Sequence, residues 1–334
     1  AFIQYTQRFF RPISDLSEKY NLLQQAMASS ERIFDLLDRP VDPSVEPQVA
    51  PASPPVAPGE FAGRIELDHV WFAYQNQDWV LEDVSFRIEP GEKVALVGAT
   101  GAGKSTLTSL LLRFYDPQRG AIRVDGRDVR DWDVTTLRRR MGLVLQDVFL
   151  FSGTIESNLR LGDPSLGHAV LERAAREVHA HEFIERLPGG YQAVVQERGA
   201  TFSAGQRQLL AFARALAHDP RMLILDEATS SVDTQTETQI QDALRRLMQG
   251  RTCLVIAHRL STIQDVDRIV VLHRGRVREL GTHAELLAQR GIYYRLYQLQ
   301  FLGATRRASR TSDSRRWNDA DAEAPVIDSP VDLA

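Results

Sequence analysis

Cysteine is almost absent from this chain. Cys253 is the single one in 334 residues, which excludes an internal disulfide and fits a reducing compartment. It lies in Thr252-Cys253-Leu254-Val255-Ile256-Ala257, which reads as a buried strand. A small core side chain is the expected role there, a reactive thiol the alternative. No run is apolar and long enough to span a bilayer, and no secretory-leader pattern stands at the start. A basic excess is also missing. The net charge of -4 speaks against nucleic acid as the main partner. The first residue is Ala1 rather than Met, so a longer parent protein is expected. What remains is an ordinary globular balance, 43% hydrophobic and 25% charged, in a length that permits one large domain or two smaller ones.

The most informative stretch present is Gly98-Ala99-Thr100-Gly101-Ala102-Gly103-Lys104-Ser105-Thr106. It fits the phosphate-loop pattern of Gly, four residues, then Gly-Lys-Ser/Thr, set between a strand and a helix. Lys93 to Val97 supplies the apolar strand, and Leu107 to Phe114 reads as an amphipathic or buried helix. Glycines let the backbone wrap close to an anion. The loop N–H groups and the helix N-terminus then offer partial positive charge to phosphate. Lys104 adds a full charge for the β- and γ-phosphates, and Ser105 is suited to hold Mg²⁺. The alternative is a Gly-rich turn that binds nothing.

Around this motif the chain changes texture several times. Phe2 to Leu37 has helical spacing, with Leu16, Tyr20, Leu23, Met27, Ile33, Phe34 and Leu37 on one side and Pro12 as a kink or first-turn residue. Residues 39–61 are Pro-rich and read as an extended linker. From Gly63, alternating strands follow (Ile65 to Phe72, Val84 to Ile88), with a Pro90-Gly91 turn and a hairpin at Asp125-Gly126. Residues 147–219 are mainly helical, broken at Gly162-Asp163-Pro164 and Pro188-Gly189-Gly190. Strands at Met222 to Leu225 and Thr252 to Ala257 flank a helix from about Thr236 to Gln249. A hairpin around Arg274-Gly275 and a final helix from Thr282 to about Leu302 complete the pattern. The tail from Gly303 lacks apolar periodicity and reads as disordered. Its Arg306, Arg307, Arg310, Arg315 and Arg316 suit either anionic lipid or simple solvation.

Several polar residues close apolar strands, where ligands gather in open α/β sheets. Asp226 ends Met222 to Leu225, a strand expected beside the one carrying the phosphate loop, and would help hold Mg²⁺ near Ser105. Glu227 follows and is suited to polarise an attacking water; helix capping is the alternative. His258 ends Leu254 to Ala257 and would donate to the γ-phosphate, against a structural role. Gln146 closes Gly142 to Leu145, from which its amide would reach Mg²⁺ or the water. Tyr74 ends an early strand, and adenine stacking and core packing stand level there. His179 and His181 have no companion ligands and read as local contacts.

These pieces occur together with Phe202-Ser203-Ala204-Gly205-Gln206-Arg207-Gln208. The combination resembles the nucleotide-binding domain of an exporter-type ATP-binding cassette transporter. The likeness runs over residues 63–302, from the aromatic Tyr74, Gly98 to Thr106, Gln146 and the signature loop at 202–206 to Asp226, Glu227, Ser231-Val232-Asp233 and His258. It implies an α/β P-loop NTPase (RecA-like) core with an antiparallel β subdomain and an inserted α-helical subdomain at about 147–219. By the same resemblance, residues 1–38 are the cytosolic end of a last transmembrane helix, 39–61 a linker, 62–302 the cassette and 303–334 a tail. Glu197-Arg198-Gly199 and the segment Asp147 to Ile155 resemble exporter elements.

The family mechanism needs two cassettes closing head to tail on ATP and Mg²⁺. Ser203, Gly205 and Gln206 would then serve the partner's nucleotide, and Asp233 would couple the two sites. Hydrolysis would reopen the pair and drive efflux of drugs, lipids or peptides from the cytoplasmic face of the cell membrane. Departures from the family pattern are Phe202 for Leu, Ala204 for Gly and Gln196 for Gly. The Phe-Ser-x-Gly-Gln form resembles one subunit of bacterial heterodimeric multidrug exporters, so a heterodimer with a second half-transporter is favoured over a homodimer. A non-hydrolysing regulatory cassette would lack Glu227 or His258. A cassette acting on DNA or ribosomes would carry coiled-coil insertions or paired cassettes, and no nucleic-acid partner is expected.

Overall fold

Alternation along the central strands decides the architecture. In the computed structural model, which describes residues 2–39, 61–75, 77–196, 199–226, 234–257 and 260–299, contacts divide the chain into two units, 1–48 and 49–334. The first contains α1 (Phe2–Leu37), with Pro12 inside it rather than in its first turn. A lone helix cannot bury its own apolar stripe. No helix among the described residues is long and apolar enough to cross a membrane.

The second unit opens with β1 (Ile65–Ala73) and β2 (Trp79–Ile88), followed by β3 (Lys93–Val97) and α2 (Lys104–Leu111). Next come β4 (Arg119–Val124), β5 (Arg127–Asp128), α3 (Val134–Arg140) and β6 (Met141–Val144). A helical stretch contains β7 (Gly153–Thr154), α4 (Ile155–Arg160), α5 (His168–Glu177), α6 (His181–Glu185), β8 (Val194–Val195) and α7 (Ala204–Ala217). The chain then returns through β9 (Met222–Asp226), α8 (Thr234–Met248), β10 (Thr252–Ile256), α9 (Leu260–Gln264), β11 (Arg268–His273) and β12 (Arg276–Gly281). It ends in α10 (His283–Gln289) and α11 (Ile292–Tyr297).

The main sheet has six strands in the order β12-β11-β3-β10-β9-β6. All neighbours are parallel except β12. Successive residues of its strands enter two different cores. Ala95, Val97, Leu223, Leu225, Cys253 and Val255 join the helices of 155–217. Val94, Leu96, Met222, Ile224, Leu254 and Ile256 pack against α2 and the antiparallel sheet β2-β1-β4-β5. Burial on both faces is why these strands read as unbroken apolar runs. Cys253 is fully buried, and burial pushes its thiol up to about 12, which makes it a core residue.

The α/β core, antiparallel subdomain and inserted helical subdomain are those expected. The hairpin at Asp125-Gly126 has φ of 52° and 79°, the doubly positive pattern of a tight two-residue turn. Two expectations are corrected. β9 does not lie beside β3, because β10 stands between them. The closing helix is not continuous: Arg290 ends α10 in the left-handed region at φ 52°, and α11 starts after Gly291. The Glu279 carboxylate of β12 accepts from the Ile292 and Tyr293 N–H groups at the second start, a cap that replaces helix continuation. The linker from Pro40 to Glu60 and the tail from Gly303 lie outside the described residues.

Candidate nucleotide site

The phosphate loop joins β3 to α2, and two of its glycines, Gly98 and Gly103, are required by the protein's own packing. A Cβ at Gly98 would collide with the Leu272 carbonyl oxygen. Gly103 has φ +103°, and a Cβ there would stand 2.6 Å from Leu81 Cδ2. As N-cap of α2, Gly103 offers no side chain to the first helical N–H groups. Those donors are left for an external acceptor.

Lys104 is only 8% exposed. Its ammonium folds back over the loop and donates to the Gly98 and Ala99 carbonyls at 2.8 and 3.1 Å. Burial lowers its pKa from the ordinary 10.5, opposed by the negative charge of Asp226. A polyphosphate arriving at the loop would supply the countercharge that burial denies this cation.

Thr100, Gly101, Gly103, Lys104, Ser105, Thr106, Gln146 and Asp226 line one cleft of about 310 Å³. Val80 and Ile256 complete its wall. Parallel register explains the convergence despite the intervening strand: Ile256 pairs with Asp226 on one side and with Leu96 on the other. All three positions therefore reach the same edge of the sheet. Ala102 is buried beneath the loop, where its carbonyl accepts from the Gly275 N–H at 3.2 Å. Tyr74 is half exposed, and its hydroxyl donates to Thr106 Oγ1 at 3.2 Å. Neither simple core packing nor isolation describes it.

The cleft offers a hydroxyl at Ser105, an amide at Gln146 and a carboxylate at Asp226. This donor set consists of hard oxygens and fits Mg²⁺. Among the described residues no His/Cys/Asp/Glu cluster forms a metal site of its own. His179 instead meets Asp242 at 2.6 Å and His181 meets the Tyr191 hydroxyl at 3.0 Å, the local contacts expected.

Ser203, Gly205 and Gln206 do not line this cleft. They open α7, where the Ser203 hydroxyl accepts from the Gln206 N–H at 3.2 Å and the Gln206 side chain accepts from the Ser203 N–H at 3.0 Å. Phe202, the departure just before them, is buried and packs near Phe183 at 6.5 Å. Ala204 is exposed in the first turn and Gly205 is buried. Glu227, Asp233, His258 and the pair Glu197-Arg198 lie outside the described residues.

Sequence reasoning missed the brace behind Gln146. Asn158, 2% exposed, accepts from the Phe151 N–H and donates to the Phe151 carbonyl, both at 2.8 Å. Arg214 donates to the Asn158 and Phe149 carbonyls and to the Asn158 side chain, each at 3.0 Å. Burial pulls the Arg214 guanidinium down to about 10. The segment after Gln146 is thus tied to α4 and α7. A local signal was absent, because Asn158 and Arg214 stand 56 positions apart.

Comparison with known proteins gives a consistent picture. The family model described as ABC transporter matches residues 81–230. A fatty acid ABC transporter ATP-binding/permease protein of Mycobacterium bovis is 48% identical over 296 residues, covering 89% of this chain and 46% of that protein. An ATP-dependent lipid A-core flippase of Alkalilimnicola ehrlichii is 50% identical over 284 residues, 84% of this chain and 47% of the flippase. A bacterial Atm1-family ABC exporter solved with ATP bound superposes with a TM-score of 0.72 at 38% identity, over 89% of this chain and 51% of that one. The chain spans about half the length of the curated relatives it matches.

Proposed function

We propose, for a chain that belongs to the ABC transporter ATP-binding proteins of exporter type, that it is the ATP-hydrolysing half of an exporter, driven by ATP-dependent pairing with a second cassette. The carrying observation is the convergence of Lys104, Ser105, Gln146 and Asp226 on one cleft at the end of the parallel strands.

In this reading the loop N–H groups and Lys104 bind the β- and γ-phosphates, and the Tyr74 ring receives the base. Ser105, Gln146 and Asp226 hold Mg²⁺, which neutralises charge developing on the phosphate oxygens. Glu227 orients and deprotonates the attacking water, and His258 donates to the γ-phosphate. Ser203, Gly205 and Gln206 complete the nucleotide site of the partner cassette. Their position on α7, away from this chain's own cleft, supports that division. The partner is a second half-transporter, a heterodimer being favoured over a homodimer on the Phe202-Ser203-Ala204 departure. The cassette works at the cytoplasmic face of the cell membrane, and its cargo is a drug, lipid or peptide. The lipid-handling names of two relatives favour lipid among these.

The test is ATP turnover by the full-length transporter with its partner. Glu227→Gln should retain ATP and lose hydrolysis at this chain's site. Undiminished turnover at that site would remove Glu227 from its role, whereas no turnover at that site in the unsubstituted transporter would overturn the hydrolytic reading.

A further inference from the structure

Tyr74 is the first residue after β1, where the pairing of the antiparallel sheet breaks down. The β1–β2 register shifts between Val70 and Phe72 and again between Phe72 and Ala73. On the other side, the β1–β4 ladder ends at the pair Trp71–Arg119. A strand end with no further rungs is prone to fray.

Gln118 supplies the missing rung. Its side-chain amide accepts from the Ala73 N–H at 2.9 Å and donates to the Ala73 carbonyl at 2.6 Å. Both main-chain groups of the residue before Tyr74 are satisfied by one side chain, much as a neighbouring strand would satisfy them. The Gln118 N–H also donates to the Trp71 carbonyl at 3.1 Å. Residues on either side of Gln118 grip the same hairpin. The Arg119 guanidinium lies 5.6 Å from the Trp71 ring and 5.1 Å from the Trp79 ring. Trp71 and Trp79 meet edge to face at 5.4 Å, on opposite strands of the turn. Tyr115 packs against Tyr74 at 5.2 Å and Phe72 at 5.5 Å, and Phe72 meets Tyr74 at 4.9 Å.

We propose that Gln118 is a positioning residue for Tyr74, and that the strap formed by Tyr115, Gln118 and Arg119 sets the affinity for the base-bearing part of the nucleotide. This rests on the reading of Tyr74 as the residue that receives the base. Three neighbours fix the ring while half of it stays exposed. Binding then orders little that is not already ordered, and that is the source of the affinity. The phosphates are held by a different loop, which Tyr74 touches through its hydroxyl on Thr106, so the strap should act mainly on the base.

The experiment is equilibrium binding of two ligands to the full-length protein, each with Mg²⁺: ATP and inorganic tripolyphosphate, which has no base. Gln118→Ala should weaken ATP by roughly three- to tenfold and leave tripolyphosphate within about twofold. Gln118→Glu keeps the size but opposes a carboxylate to the Ala73 carbonyl, and should shift ATP in the same direction even if the alanine variant folds poorly. In a Tyr74→Ala background, Gln118→Ala should add less than about twofold. Equal loss for both ligands would show a general structural role and overturn the proposal. Unchanged ATP affinity in both Gln118 variants, with Tyr74→Ala weakened, would overturn it while sparing the Tyr74 reading. Unchanged affinity in Tyr74→Ala would instead sink that reading.

Discussion

Two helix N-termini carry residues proposed to bind phosphate, and they are built in opposite ways. At α2 the N-cap is Gly103, which has no side chain to offer the first N–H groups. At α7 the N-cap is Ser203, which closes a reciprocal pair of hydrogen bonds with Gln206. The first terminus is left open toward a cleft that this chain forms by itself. The second is closed by its own capping pair, and Ser203, Gly205 and Gln206 do not line that cleft. Open donors suit a terminus whose ligand arrives within one protein. In the proposed pairing, a capped terminus would keep its shape until a second protein brings the ligand to it.

Substitutions can break or sharpen that contrast. The largest effect is expected at Phe202, whose buried ring anchors the start of α7. Phe202→Ala should lower unfolding stability by about 3 kcal/mol or more in a denaturant titration. Lys104→Ala should act on function and not on folding, since burial already disfavours the cation. ATP affinity should fall at least roughly tenfold, the scale of a charged hydrogen-bonding partner, while the thermal midpoint stays near that of the wild type. Ser203→Ala should cost about 1 kcal/mol of stability through its lost cap and should also slow ATP turnover by the paired transporter. Loss of stability at Lys104 with none at Ser203 would reverse the contrast.

The smallest effect is a pH dependence. Burial places Lys104 below its ordinary 10.5, and bound polyphosphate favours the ammonium. ATP binding therefore takes up a proton once the pH passes the lowered value, and affinity falls as pH rises from there. Titrations from neutral to alkaline pH should show that fall in the wild type. Lys104→Arg, charged throughout, should flatten it.

The phosphate loop was legible because its motif, strand and helix are contiguous in the sequence. The strand order was not. β9 and β3 are separated by β10, a consequence of long-range pairing that apolar runs cannot reveal. The break between α10 and α11 was hidden for the same reason, since the capping carboxylate of Glu279 comes from β12. Side-chain amides that complete backbone pairing were the least visible. Gln118 lies 45 positions from Ala73, and nothing local distinguishes it from a loop glutamine. Asn158 bonds the Phe151 backbone seven positions away, yet its tie to Arg214, 56 positions on, is equally invisible locally. The residues expected to touch ligand were readable from motif chemistry, whereas those that hold them in place depend on the folded chain.

The most direct test is a structure of the full-length protein with its partner, trapped with Mg²⁺ and a slowly hydrolysed ATP analogue. The account predicts the terminal phosphates against the Lys104 ammonium and α2, the base on Tyr74, and the α7 terminus of the opposite cassette closing over them. A nucleotide bound away from Lys104 and Asp226, or closed over by this chain's own Ser203, would contradict it.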